Sequence, residues 1–125
     1  MPNMFNGCNS LTTINGLENL DTSKVSRMYA MFRNCTSLTT INGLENLDVS
    51  NVTNMNAMFY DCKLLTSLDL RNWDISKCTT MNQMFSGCTN LKEIKVTKGK
   101  WVIPSGCYTT KMFYNCGVSA VTYYD

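Results

Sequence analysis

The chain is built on an eight-residue motif, M-x-x-M-F-x-x-C, that returns at near-constant spacing: Met1 to Cys8, Met28 to Cys35, Met55 to Cys62 and Met81 to Cys88. A fifth copy, Met112, Phe113 and Cys116, lacks only the leading methionine. The MF pairs begin at residues 4, 31, 58, 84 and 112, so the step is 26 to 28 residues, and all nine methionines and all five phenylalanines lie inside the copies. A tandem array is the first constraint on any fold, because each unit can bury its apolar residues only against its neighbours and about three or more units are needed for stability.

The units divide the 125 residues into a truncated first unit at 1–20, units at about 21–47, 48–73 and 74–101, and an atypical C-terminal unit at 102–125. Met1 already stands in the register of Met28, so the sequence reads as opening partway through a repeat, as a fragment or a separately expressed segment would. Charged residues make up 16% of the chain, and 11 Lys and Arg against 9 Asp and Glu leave a net charge of +2. That balance makes no field suited to nucleic acid. No apolar run approaches the ~20 residues that span a bilayer, and the polar start lacks the basic and apolar regions of a signal peptide.

Within one unit, Val52, Met55, Met58, Phe59 and Cys62 step by three and four, as do Val25, Met28, Met31, Phe32 and Cys35, and again Cys78, Met81, Met84, Phe85 and Cys88. That spacing predicts a short amphipathic helix in each unit, too short to stand alone. After the cysteine, two-residue steps such as Leu68 to Leu70 predict a short strand. Gly16 and Gly43 lengthen that step in the first two units, which marks a bulge or tight bend. Asp21, Ser23, Asp48, Ser50, Asp74 and Ser76 then suit a turn and a cap for the following helix.

The succession L-x-x-L-x-L, a turn with Asp and Ser, then V-x-x-M-x-x-M-F-x-x-C, resembles the BspA-type leucine-rich repeats of bacterial surface proteins over nearly the whole chain. The resemblance implies a curved solenoid, a place at the cell surface or among secreted proteins, and adhesion to host molecules or other cells. Together with the periodicity it gives the expected fold: an α/β leucine-rich-repeat-like solenoid of about four 26–28-residue units, short strands on the concave side and short helices on the other. A β-solenoid without regular helices is the alternative. The last unit departs from the pattern, being longer, carrying Pro104 and ending in Tyr123 and Tyr124, as a closing strand or cap would.

Candidate chemistry is sparse. Five of the seven cysteines, Cys8, Cys35, Cys62, Cys88 and Cys116, are a repeat apart, with none of the C-x-x-C spacing of zinc sites. Cys78 occupies the place of Val25 and Val52, the habit of an unpaired cysteine used as a small apolar filler. If the units are helical, neighbouring helices ~8–10 Å apart keep equivalent cysteines beyond the ~7 Å that a disulfide tolerates, which leaves Cys107 with Cys116 as the pair still open. Without histidine a Ser or Cys nucleophile lacks its commonest base, so no enzyme activity, metal ion or cofactor is expected.

Surface columns remain. Residues between the inward strand positions form polar rows: Thr13, Thr40, Ser67 and Glu93; Asn15, Asn42, Asp69 and Lys95; Glu18, Glu45, Arg71 and Thr97. Such a face is where repeat proteins commonly bind partners, and Asn42, Glu45, Asp69 and Arg71 are the candidate contacts for a host or cell-surface protein or glycan. Lys92, Lys95, Lys98, Lys100 and Lys111 offer a second, basic patch. The competing expectation is a structural spacer or fibre unit that self-associates through its N-terminal edge, where Leu11, Ile14 and Leu17 lack a preceding unit.

Overall fold

A computed structural model describes residues 1–125. It corrects the expected fold class. There is no α-helix and no leucine-rich-repeat-like α/β solenoid: regular structure is confined to two small parallel sheets and two 3-10 turns, Leu17–Asn19 and Leu44–Asn46, and the remainder is turns and loops. The strands are β1 (Thr13–Ile14), β2 (Thr40–Ile41), β3 (Ser67–Asp69), β4 (Glu93–Thr97) and β5 (Thr122–Tyr124). β1 pairs with β2, and β3, β4 and β5 form the second sheet in that order.

Each stretch expected to be helical is instead a pair of tight turns. Ala30, Ala57, Gln83 and Lys111, each just before an MF pair, have φ between 54 and 58°, and Asn34, Asp61, Gly87 and Asn115, each just before the cysteine, lie between 52 and 80°. A right-handed helix admits neither position. The turns close through Arg33 N–H to Ala30 O at 3.2 Å and Cys35 N–H to Phe32 O at 3.3 Å, and the same pair recurs at Tyr60 and Cys62, Ser86 and Cys88, and Tyr114 and Cys116. In the second turn the positive φ falls on the third residue, a place that favours Gly or Asn.

The remaining backbone groups are satisfied between units. Met28, Ala30, Phe32 and Asn34 donate to the carbonyls of Asn54, Asn56, Met58 and Tyr60 at 2.7–3.0 Å, and Met55, Ala57, Phe59 and Asp61 donate to Thr80, Asn82, Met84 and Ser86 at 2.8–3.0 Å. Every second N–H thus points to the next copy. The three-and-four spacing of Met, Phe and Cys survives because two left-handed residues reverse the path after each inward group.

Side chains follow the backbone register. Phe5, Phe32, Phe59, Phe85 and Phe113 form one column with ring centroids 5.3–5.7 Å apart and planes within 16°. Parallel planes at such separations are offset stacks. Met28, Met31, Met55, Met58, Met81 and Met84 are fully buried beside them, with Cys35, Cys62 and Cys88 and the leucines of the strand side in the same core. Burying each such side chain contributes roughly 1.5–3 kcal/mol. No buried side-chain nitrogen or oxygen lacks a hydrogen bond.

The sheet is interrupted between β2 and β3 for a reason visible in the units. In the first two, Gly16 (φ 87°) and Gly43 (φ 84°) turn the chain into the 3-10 segments, and a Cβ on Gly43 would collide with the Glu18 carboxylate. The third unit has Leu-Asp-Leu there and runs on as a strand. Trp73 secures the junction by donating its indole N–H to Leu44 O at 3.0 Å from a fully buried site.

Candidate interaction face

The outward residues of the strands stand opposite one another in the parallel register. Thr13 lies opposite Thr40, Ser67 opposite Glu93, and Asp69 opposite Lys95. Asn42 donates its amide to Asn15 Oδ1 at 2.6 Å, one rung of a side-chain ladder on the first sheet. The amide oxygen of Asn42 stays free to accept.

On the second sheet, Asp69 and Arg71 meet each other. Arg71 donates Nε to Asp69 Oδ1 at 2.9 Å and Nη2 to Oδ2 at 2.8 Å, while its backbone N–H bonds the same carboxylate at 3.2 Å. The hydrogen bond from Arg71 holds the Asp69 carboxyl below its usual range, and the pairing raises Arg71 with a smaller contribution from Glu45. Both partners are substantially solvated, so the pair is worth only ~0–1 kcal/mol. Its effect is to fix a direction in space.

That direction leads to Glu93 and Tyr124, which the sequence placed in an outward row and in a closing strand but not beside Arg71. The Arg71 guanidinium lies 5.5 Å from the centre of the Tyr124 ring, and the Tyr124 hydroxyl donates to Glu93 Oε2 at 2.5 Å. The hydrogen bond to Glu93 pushes the phenol above its ordinary pKa. Parallel pairing of β4 with β5, which sets Thr97 opposite Tyr124, carries this terminal tyrosine to the face. Asn42 and Asn15 sit beside β1 and β2, whereas Asp69, Glu93 and Tyr124 belong to the second sheet and Arg71 to the turn that follows β3.

Other candidates are placed as follows. Arg33 sits 5.2 Å from the Tyr60 ring centre on the turn side. Asp61, Lys63, Gly87, Thr89, Asn115 and Cys116 line a shallow polar cavity of about 350 Å³. Lys98 is tied to Asp125 at 3.0 Å and Lys111 lies over the Tyr114 ring. Asp21 and Asp48 accept from the backbone N–H and hydroxyl of Ser23 and Ser50, and Asp74 from the N–H of Ser76, so these carboxylates brace turns rather than helix starts.

All seven cysteines are free thiols, Cys107 and Cys116 included. The helix-spacing ground for keeping cysteines apart does not hold, because adjacent units meet through direct backbone hydrogen bonds. What engages the thiols is the neighbouring backbone: Cys35, Cys62 and Cys88 donate to the carbonyls of Phe5, Phe32 and Phe59 at 3.0–3.1 Å. Cys107 closes a turn onto Pro104 as Cys78 does onto Ile75 and Val52 onto Val49, so it belongs to the same column as Cys78. Cys107 stands five residues before Met112, where Val25, Val52 and Cys78 stand six before their methionines, and that shift hid the equivalence.

Comparison with known families gives one match: residues 1–122 fit the family described as Mycoplasma protein of unknown function, DUF285. The chain belongs to that family. No curated protein and no solved structure matches it. No helix of this family member is long and apolar enough to cross a membrane.

Proposed function

We propose that this DUF285 chain is a non-enzymatic binding or adhesion module, displayed on a bacterial surface or secreted, that presents its polar strand face to a protein or glycan. The observation that carries the reading is the Asp69–Arg71–Tyr124–Glu93 arrangement: a bidentate ion pair, an aromatic face and a phenol–carboxylate bond held by three adjacent strands and the turn after β3. Groups of this kind offer hydrogen bonds and a flat apolar surface together, the combination that peptide and sugar partners use. The BspA-type resemblance of the repeats supports the surface placement. The lack of histidine and the raised pKa of the buried thiols speak for binding over catalysis.

The test is a glycan and matrix-protein screen with the wild-type chain, followed by the quadruple variant Asn42→Ala, Glu45→Ala, Asp69→Ala, Arg71→Ala. Its melting should stay close to wild type, since Asn42 and Arg71 are exposed and Glu45 and Asp69 only partly buried, and surface positions usually change stability by less than ~0.5 kcal/mol each, while affinity for the partner found should fall at least ~10-fold, the equivalent of ~1.4 kcal/mol. Unchanged affinity would move the contact to the Arg33–Tyr60 side or to the lysines.

A further inference from the structure

Two cysteine columns run through the array, and they differ in what their sulfurs touch. In the column of Cys35, Cys62 and Cys88, each thiol is turned to the carbonyl of a phenylalanine in the preceding unit, Phe5, Phe32 or Phe59, at 3.0–3.1 Å. In the other column Val25 and Val52 are followed by Cys78 and Cys107, and these two sulfurs are held more loosely. Cys78 Sγ has the carbonyls of Thr80 at 3.4 Å and Thr53 at 3.6 Å, and Cys107 Sγ has that of Tyr108 at 3.9 Å.

The backbone brings this pair together. Thr80 and Tyr108 are partners in a parallel bridge, closed by Tyr108 N–H to Thr79 O at 3.0 Å and Met81 N–H to Tyr108 O at 2.7 Å. The Cys78 sulfur leans on the Thr80 carbonyl and the Cys107 sulfur on the Tyr108 carbonyl, so both converge on one bridge from adjacent rungs. There the two thiols come within hydrogen-bond reach of each other. Neighbouring parallel strands lie about 4.8 Å apart, inside the ~4.4–6.8 Å between Cα atoms that a disulfide spans. Cys116, the other partner the sequence left open for Cys107, closes the turn after Phe113 and belongs to the first column.

We infer that Cys78 and Cys107 are a redox-convertible pair, which a low-molecular-weight disulfide oxidises to an internal disulfide that staples the unit carrying Pro104 to the one before it. Cys107, as thiolate, attacks one sulfur of the reagent, forming a mixed disulfide and releasing the first small thiolate. Cys78 then gives its proton to solvent, attacks Cys107 Sγ and expels the second small thiolate, so two protein thiols are oxidised while one small disulfide is reduced to two thiols. Local electrostatics set that order. Burial raises both thiols, Cys78 to about 12, but the hydrogen bond from Cys78 partly offsets the rise at Cys107, and the thiolate is the attacking species. This chemistry is independent of what the polar strand face binds.

Equilibration of the native chain in mixtures of reduced and oxidised glutathione, followed by acid quenching, intact mass and peptide mapping, tests it. As the mixture becomes more oxidising, the wild-type chain should lose two hydrogens and yield a crosslinked peptide joining Cys78 to Cys107. Cys78→Val restores to the column the residue that Val25 and Val52 already supply, so this variant should fold, form no crosslink and carry glutathione on Cys107 instead. The crosslink closes a long loop in the unfolded chain, so the urea midpoint of the wild type should rise on oxidation and return with dithiothreitol, while that of Cys78→Val shows no such rise. A wild-type chain that forms no crosslink even in the most oxidising mixture, a crosslink between other cysteines, or an oxidised chain less stable than the reduced one would overturn the pairing.

Discussion

At the scale of residues, the chain is governed by columns in which one physical demand is met by similar residues in every unit. The column before each cysteine needs a left-handed backbone and holds Gly7, Asn34, Asp61, Gly87 and Asn115, all types that tolerate it. The cysteine column needs a small apolar group able to reach a neighbouring carbonyl. Burial pushes the Cys35 thiol up to about 11 and those of Cys78 and Cys88 up to about 12, and it raises Cys62 as well. Below the ordinary value of 9.0 folded and unfolded chains both keep these protons, so the contribution to stability is fully present there. As pH rises from 9.0 toward about 12 the unfolded chain ionises first and stability falls. Denaturant midpoints across that range should decline, and alkylation of the native chain should reach Cys8, Cys107 and Cys116 well before the four buried thiols. Prompt native labelling of Cys62 would contradict the packing.

At the scale of elements, the turn pair is where sequence reading and structure part. The apolar spacing of Val52, Met55, Met58, Phe59 and Cys62 is compatible with a helix, and it identified the inward residues correctly: Val52, Met55, Met58, Phe59 and Cys62 are all buried. The path between them was written in the Asn, Asp and Gly before each cysteine. Ala30, Ala57, Gln83 and Lys111 gave no such sign, being good helix formers placed at φ near 55° by the pairing between units. The outward rows Thr13–Thr40 and Asp69–Lys95 were legible because strand alternation sets them. Tyr124 and Glu93 escaped notice as partners of Arg71 because they lie far apart in sequence and meet only through β4 and β5. Ala57→Gly separates the two local structures. In a helix it would cost about 1 kcal/mol, whereas at a left-handed residue it removes a Cβ penalty of about 1–2 kcal/mol, offset by about 0.4–1 kcal/mol of unfolded-state entropy. Urea denaturation should find stability unchanged or slightly raised, and a loss of about 1 kcal/mol would favour the helix.

At the scale of the whole molecule, units cohere because hydrogen bonds and aromatic stacking run in the same direction, from each copy of the motif to the next. Of the 61 backbone–backbone hydrogen bonds only 6 lie within the regular strands and helices, so the connections between turns carry most of the backbone order. A fold held this way has no single element that could be removed and studied alone, since the donors of one unit are completed by the carbonyls of its neighbour. The polar strand face is a consequence of that arrangement, because it displays the residues between inward positions. The most direct measurement is of scalar couplings across hydrogen bonds in the isotopically labelled chain. The Phe32 amide should couple to the carbonyl carbon of Met58, and the Phe59 amide to that of Met84. Coupling of Phe32 to Met28 and of Phe59 to Met55, the four-residue pattern of an α-helix, would contradict the account.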